Sequence, residues 1–358
     1  MSSKIYCVIM AGGVGSRFWP LSTTQTPKQF LDILGTGKSL IRQTFERFSP
    51  ICPKENIYVV TSKNYKDLVL NELPELNQEQ VLAEPLRRNT APCIAYANAL
   101  IKRKDPDAHI VVTPADHLII NEEQFRRNII SGLDFVDDKD ILLTLGIKPS
   151  RPETGYGYIQ IEEENGLPDD FNKVKTFTEK PNLEMAKILF ESGEFFWNSG
   201  IFIWSLKSIE KAFAKHLREV SVLFEEFYPS VGKETEEKAL YDTYVDCRNI
   251  SIDYGVMEKA NNVYVQIVDF GWSDLGTWTS LHDNSDKCND NNAVLSGKVL
   301  LYDTADSVVH LPKGKFGVIQ GLKNYIVVQS DKALLVCPKD NEQQIRQFTA
   351  DIKTEFDS

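Results

Sequence analysis

Residues 8–30, VIMAGGVGSRFWPLSTTQTPKQF, form the stretch from which the rest of the chain is interpreted. An apolar run at residues 5–9 predicts a buried strand, and it leads into Gly12, Gly13 and Gly15. Glycine tolerates positive φ and has no Cβ atom, so the backbone N–H groups of such a loop can close around an anion. The stretch therefore predicts a phosphate-binding loop, with a glycine-rich turn that binds nothing as the structural alternative.

Two better-known phosphate loops do not fit this sequence. A dinucleotide-binding turn needs G-x-G-x-x-G, and Phe18 stands where the third glycine must let helix and strand pack closely. A Walker A loop needs G-x-x-x-x-G-K-[ST]; residues 37–39 supply its end, but Asp32 occupies the first glycine position. The loop is therefore of another kind.

Composition limits the partners and the compartment. The chain has 358 residues and is 42% hydrophobic, which is ample for a large core. Its formal charge of −11 argues against nucleic acid or an anionic membrane as a partner, because both require a basic face. The six cysteines are widely spaced, without a C-x-x-C pair, and no apolar run is long enough for a membrane span. We therefore expect a cytoplasmic protein.

Short apolar runs alternate with helical patterns over most of the chain. This alternation predicts an α/β fold, a Rossmann-like and mostly parallel sheet with helices on both faces. Ligands in such sheets bind at the carboxyl ends of the strands. We expect a catalytic domain at residues 1–289. The short β runs that follow predict a small C-terminal β domain with a closing helix at residues 290–358.

Three motifs together resemble a known family. They are G-G-x-G-S-R-F-x-P-L with P-K-Q-F at residues 12–30, P-A-D-H at 114–117 and F-W-N-S-G-I-F at 196–202. They resemble the signatures of the sugar-1-phosphate nucleotidyltransferases, in the form found in those that join mannose-1-phosphate to GTP. The resemblance implies a C-terminal domain like a short left-handed β-helix. It also implies GTP and mannose-1-phosphate as substrates, GDP-mannose and pyrophosphate as products, and a homodimer.

The resemblance also implies roles for the residues that bind the nucleotide. Arg17 and Lys28 would offset phosphate charge, and Glu84 would read the base, since one carboxylate accepts from both N1–H and the N2 amino group of guanine. A surface salt bridge is the alternative for Glu84, and capping of the next helix is the alternative for Asn89 and Thr90. The nucleotide-binding residues are expected to be Ala11, Gly12, Gly13, Gly15, Ser16, Glu84, Asn89 and Thr90.

Two aspartates, each close behind an apolar strand, suggest a metal site. Asp116 lies in a proline-containing turn after residues 109–112, and Asp274 lies in the W-x-D-x-G-T segment at 272–277. Mg²⁺ prefers one or two carboxylates together with phosphate oxygens, and Mn²⁺ is a possible substitute. The alternative for Asp116 is a helix cap.

The sugar would be bound by residues from later segments. By resemblance, Lys180 would meet the sugar phosphate and the sugar hydroxyls would contact Glu179, Asn198 and Asp253. The alternating Gly and Tyr around Gly157 would let bare backbone approach the sugar closely. The alternatives are a buried aromatic core around Asn198 and a helix cap at Asp253. For Gly157 the alternative is a plain hairpin, and for Glu179 and Lys180 it is a solvated surface pair. Two rival functions also remain at this stage: the same reaction on glucose-1-phosphate, and a non-catalytic regulatory subunit that binds sugar nucleotide.

Overall fold

The computed structural model describes residues 4–162 and 164–356, without the side chains of residues 353 and 356. The chain divides into two compact units. The first comprises the described residues of Met1–Gly12, Thr44–Ala115 and Ile119–Trp272, and the second those of Gly13–Gln43, Asp116–Leu118 and Ser273–Ser358. Among the described helices, none is both long and apolar enough to cross a membrane.

The first unit is built on a nine-stranded sheet. Its strands, in chain order, are β1 (Ile5–Met10), β2 (Ile57–Ser62), β3 (Val81–Glu84), β4 (His109–Pro114), β6 (Leu142–Ile147), β7 (Tyr158–Glu162), β8 (Phe171–Thr178), β9 (Phe195–Ser205) and β10 (Val263–Val268). Their spatial order is β3-β2-β1-β4-β9-β6-β10-β8-β7. Two short strands, β5 (Leu118–Ile119) and β11 (Trp272–Ser273), lie where the chain passes between units.

The sheet is mixed, whereas the sequence predicts a mostly parallel one. Strands β1 to β4 are parallel, as are β6 and β10, but the described pairings of β9, β7 and β8 with their other neighbours are antiparallel. The strand and helix alternation that implies parallel pairing stops after β6, since β7 and β8 follow without an intervening helix, and consecutive strands then pair antiparallel. The broader prediction, an α/β fold, is confirmed.

Helices cover the sheet and supply much of the core. They are α2 (Lys66–Glu72), α3 (Thr90–Lys104), α4 (Glu122–Val136), α5 (Leu183–Ser192), α6 (Leu206–His216), α7 (Arg218–Phe227) and α8 (Glu236–Asp246). Helix α1 (Leu40–Phe48) has residues in both units. Buried residues of α3, α6, α7 and α8 join those of β1 to β4 in one apolar cluster. This burial fixes α8 in that cluster, which matters for the site described below.

The aromatic strand β9 contains a polar stretch at residues 198–200, N-S-G, whose pairing with the neighbouring strand is irregular. The register between β6 and β9 shifts between Thr144 and Gly146, and Gly200 has φ of 71°. Such a bulge re-aims side chains locally. Residues 198–200 therefore lie where the pairing of β9 with β6 is irregular, while β9 itself continues through them.

The second unit contains the C-terminal strands. They are β12 (Ala293–Ser296), β13 (Lys298–Tyr302), β14 (Val308–His310), β15 (Phe316–Gln320), β16 (Tyr325–Gln329) and β17 (Leu334–Pro338). Strands β12, β14 and β16 pair in parallel, β13 pairs in parallel with β15, and β17 is antiparallel to β16. Helices α9 (Trp278–Asp283) and α10 (Ile345–Phe356) complete the unit. The handedness of this winding stays a prediction.

Candidate active site

The glycine loop is held in shape by the segment that follows it. Gly15 has φ of 69°, and a Cβ there would lie 2.5 Å from Lys28 Cβ, so this position requires glycine for both conformation and space. Gln29 Nε2 donates to the Gly13 carbonyl at 3.0 Å, and the Lys28 amide donates to the Val14 carbonyl at 3.2 Å. The P-K-Q-F motif therefore fixes the loop.

Lys28 links the two aspartates predicted to bind metal. Its Nζ atom is 3.0 Å from Asp116 Oδ2 and 2.7 Å from the carbonyl oxygen of Asp274, and its side chain is only 3% exposed. Burial opposes ionisation of Asp116, but Lys28 and His117 outweigh it and lower the pKa of Asp116. The second unit therefore brings Lys28, Asp116 and Asp274 together.

The carboxylate of Asp274 is oriented by its own loop. Its Oδ1 atom accepts a hydrogen bond from the Gly276 amide at 2.8 Å, and a Cβ at Gly276 would lie 2.6 Å from Oδ2. Leu275 has φ of 44°, a strained conformation that the tight turn imposes. Any larger residue at position 276 would push this carboxylate away.

The donor set fits a hard divalent cation. Within residues 4–162 and 164–356, no group of three or more His, Cys, Asp or Glu side chains could hold a metal by itself. Asp116 and Asp274 offer two carboxylates, and Mg²⁺ commonly takes one or two, with phosphate oxygens and water completing its coordination. These aspartates therefore suit a metal that is bound together with a nucleotide.

Arg17 is held by a residue that the sequence does not single out. Arg17 Nε donates to Gln343 Oε1 at 3.0 Å, in the turn that precedes α10. Glutamine in a polar helix start gives no sequence signal. The C-terminal segment of the second unit thus orients a predicted phosphate-binding residue.

Glu84 lies at the carboxyl end of β3, nearly buried. Its exposed fraction is 6%, and Tyr244 Oη lies 3.1 Å from its Oε1 atom. Burial raises the pKa of Glu84 to about 7, while Tyr244 and Arg87 act in the opposite direction. A Cβ at Gly12 would lie 3.6 Å from Glu84 Oε2, so this carboxylate adjoins the start of the glycine loop. A surface salt bridge does not describe such a position.

Asn89 and Thr90 have structural partners in the first unit. Asn89, with φ of 70°, caps α3 by accepting from the Thr90 amide at 2.9 Å, and Thr90 Oγ1 accepts from the Ile252 amide at 2.9 Å. The carbonyl of Ala11 likewise accepts from Thr61 Oγ1 at 2.9 Å. These bonds account for all three residues structurally, and contact of Asn89, Thr90 and Ala11 with nucleotide stays a prediction.

The residues predicted to bind the sugar form one polar cluster in the first unit. Lys180 is ion-paired with Glu179, and Asn198 Nδ2 donates to Asp253 Oδ1 at 2.9 Å. Burial and the Glu179 charge raise the pKa of Asp253 to about 6, whereas Lys180 and Asn198 lower it. Asn198 Oδ1 accepts from buried Thr144 Oγ1 at 2.8 Å, which fixes the amide. The cluster combines carboxylate groups that can accept hydrogen bonds from sugar hydroxyls with the ammonium group of Lys180.

Gly157 makes room for this cluster. A Cβ there would lie 2.5 Å from Glu179 Oε2 and 3.4 Å from Asn198 Cβ. The Gly157 backbone therefore lies close against two of the predicted sugar-binding side chains in the first unit. Contact of Gly157 with a sugar stays a prediction.

Comparison with known proteins identifies the class of protein. Residues 6–291 match the family model described as nucleotidyl transferase, and the chain belongs to that family. It is 33% identical over 361 residues to the mannose-1-phosphate guanylyltransferase of Escherichia coli, covering 97% of this chain and 75% of the relative. It is 35% identical over 348 residues to the alginate biosynthesis protein AlgA of Pseudomonas syringae pv. tomato, covering 96% and 71% of the two chains.

A solved structure is similar over almost the whole chain. The crystal structure of mannose-1-phosphate geranyltransferase from Thermus thermophilus has a TM-score of 0.87 and 31% identity, covering 98% of this chain and 99% of that one. The similarity includes the C-terminal strands as well as the nine-stranded sheet. The predicted family is therefore confirmed.

Proposed function

We propose that this protein joins mannose-1-phosphate to the GMP portion of GTP, forming GDP-mannose and releasing pyrophosphate. The observation that carries the proposal is the buried Lys28, which links Asp116 and Asp274 directly behind the glycine loop. The relatives named mannose-1-phosphate guanylyltransferase, similar over nearly the full chain, support the choice of sugar and base. They do not favour glucose-1-phosphate or a non-catalytic regulatory subunit.

The reaction needs alignment and charge neutralisation more than proton transfer. A phosphate oxygen of mannose-1-phosphate attacks the α-phosphorus of GTP, and the bond from that phosphorus to the bridging β-phosphate oxygen breaks. The nucleophile is already an anion, so no general base is required. The loop amides at residues 12–16 would hold the triphosphate, and Arg17 and Lys28 would offset charge at the α-phosphate and the leaving group.

Nucleotidyltransferases of this family generally use a divalent metal. Asp116 and Asp274 would hold Mg²⁺, or Mn²⁺ in its place, and the ion would neutralise phosphate charge as it develops. Lys28, already paired with Asp116, would position that carboxylate and could turn toward phosphate once the nucleotide is bound.

The sugar phosphate would be held by the cluster around Asp253. Lys180 would meet the attacking phosphate, and Glu179 and Asp253 would accept hydrogen bonds from sugar hydroxyls. Asn198 uses Oδ1 for Thr144 and one N–H for Asp253, which leaves one amide hydrogen for the sugar. Its larger contribution would be to orient Asp253.

Product analysis tests the proposed function. Purified protein with GTP, mannose-1-phosphate and Mg²⁺ should yield GDP-mannose and pyrophosphate in equal amounts, measured by anion-exchange chromatography with mass spectrometry. Omission of the sugar phosphate is the control. Pyrophosphate release without sugar nucleotide, or binding of GDP-mannose without turnover, would overturn the proposal.

Gly157→Ala should raise the KM for mannose-1-phosphate by roughly tenfold to a hundredfold, because the new methyl group displaces the Glu179 carboxylate. The KM for GTP should stay unchanged. Gly155→Ala is the matched control, since its Cβ would approach only the flexible Glu153 side chain, at 3.3 Å. An unchanged KM for mannose-1-phosphate in Gly157→Ala would remove Glu179 from the sugar site.

GTP binding should strengthen as pH rises through about 7. Guanine donates two hydrogen bonds to an ionised carboxylate, and the raised pKa of Glu84, about 7, leaves much of it protonated below neutrality. The KM for GTP should fall about tenfold between pH 6 and pH 8, following the ionised fraction. Glu84→Gln, measured in the same buffers, separates this effect from titration of GTP itself. A wild-type profile parallel to that of the variant would contradict the assignment.

Four further proposals concern the location, the oligomeric state, the domain boundary and the C-terminal domain. We propose a cytoplasmic location, supported by six cysteines that are free thiols, five of them buried. We also propose a homodimer and a domain boundary at residues 289–290. We propose a left-handed β-helix in the C-terminal domain; the parallel pairings of β12, β14 and β16 support the β-helix but do not define its hand.

A further inference from the structure

The hydroxyl group of Tyr244 lies fully buried beside the carboxylate of Glu84. Its oxygen is 3.1 Å from Glu84 Oε1 and 3.3 Å from the carbonyl oxygen of Pro92. Tyr244 is 0% exposed, and its ring meets those of Tyr96 and Phe224 edge to face, with centroids 6.3 and 6.0 Å apart. Close packing on these faces holds the hydroxyl group in place.

This hydroxyl group can satisfy Glu84 in either protonation state. When Glu84 is ionised, Tyr244 donates its proton to Oε1, and the charge makes this the stronger bond. When Glu84 is protonated, its own O–H can donate to the Tyr244 oxygen, and Tyr244 then donates to the Pro92 carbonyl. The stronger bond belongs to the ionised state, so the hydroxyl group favours ionised Glu84.

We propose that Tyr244 is a positioning and specificity residue for the nucleotide, whose hydroxyl group keeps Glu84 ionised and aimed so that both carboxylate oxygens can accept from guanine. Each carboxylate oxygen has two lone pairs, so Oε1 can accept from Tyr244 and from the base together. This inference rests on the proposed function, in which Glu84 reads guanine.

The other groups around Glu84 do not replace this contribution. Arg87 lowers the pKa of Glu84, but burial raises it more. On α3, burial raises the pKa of the Cys93 thiol and that of the Tyr96 phenol, so both are neutral at physiological pH. Tyr244, on α8, therefore donates the direct hydrogen bond that opposes the effect of burial on the pKa of Glu84.

Tyr244→Phe removes the hydroxyl group and keeps the ring. The KM for GTP should be measured from pH 6 to pH 9. In wild type it should rise as the pH falls, and in Tyr244→Phe this rise should begin at a pH higher by on the order of one unit. At about pH 6.5 the KM should be several-fold above that of wild type, and the difference should narrow toward pH 9, where Glu84 is ionised in both proteins. The KM for mannose-1-phosphate should not change.

The control and the second background separate this role from a purely structural one. Tyr58→Phe removes another buried hydroxyl group, one without a hydrogen-bond partner in the described part of the chain, and should leave the GTP profile unchanged. In a Glu84→Gln background, Tyr244→Phe should shift nothing further. A GTP profile in Tyr244→Phe identical to wild type, or raised equally at every pH, would overturn the inference.

The same data separate failure of this inference from failure of the proposed function. If Glu84→Gln alone alters GTP binding but Tyr244→Phe does not, Glu84 reads the base without help from Tyr244. If neither variant alters GTP binding, Glu84 does not read the base, and the base-reading part of the proposed function fails with the inference.

Discussion

Asp116→Asn and Asp274→Asn should each lower kcat by on the order of 10²-fold or more, because a metal that clamps developing phosphate charge supplies several kcal/mol to the transition state. The two variants should differ in thermal stability, measured as Tm. Asp116→Asn leaves the buried Lys28 ammonium without its carboxylate partner and should lower Tm. Lys28 meets Asp274 at the backbone carbonyl, which Asp274→Asn retains, so this variant should lower Tm less than Asp116→Asn does.

Steady-state kinetics at several Mg²⁺ concentrations, together with thermal melts, would measure both effects. Asp286→Asn, at an exposed position in the same unit, is the matched control and should retain full activity. Wild-type turnover in either Asp116→Asn or Asp274→Asn at saturating Mg²⁺ would show that the substituted residue is not a ligand.

Glu84→Gln should weaken GTP binding by roughly 1 to 3 kcal/mol, because one acceptor becomes an amide donor facing a guanine donor in a nearly buried site. Binding of UTP should change much less, since uracil presents a single ring N–H. The ratio of KM values for GTP and UTP in wild type and variant measures this selectivity. An equal loss for both nucleotides would mean that Glu84 supports the loop and does not read the base.

The sequence predicts the parts of the fold and site that depend on local pattern. The apolar run before Gly12 becomes β1, and Gly15 takes the left-handed conformation that a glycine loop suggests. Glu84 and Asp116 lie at or just beyond strand ends, where α/β sheets bind ligands. These features follow from residue type and spacing within a few positions.

The remaining features depend on contacts between distant segments. Tyr244 reaches Glu84 from a helix whose sequence carries no catalytic motif, and Thr144 fixes Asn198 across a bulge between β6 and β9. Gln343 reaches Arg17 from the far end of the chain. No local sequence pattern indicates that such distant residues are in contact. The antiparallel direction of β9 is likewise a property of tertiary packing.

Substrate selectivity tests the central claim most directly. Pyrophosphate release should be measured for ATP, CTP, GTP and UTP, each combined with mannose-1-phosphate, glucose-1-phosphate and galactose-1-phosphate, under identical conditions with Mg²⁺. We predict the highest kcat/KM for GTP with mannose-1-phosphate, since Glu84 and the cluster around Asp253 are assigned to that base and sugar. A higher kcat/KM for glucose-1-phosphate, or equal values for GTP and UTP, would contradict the proposed function.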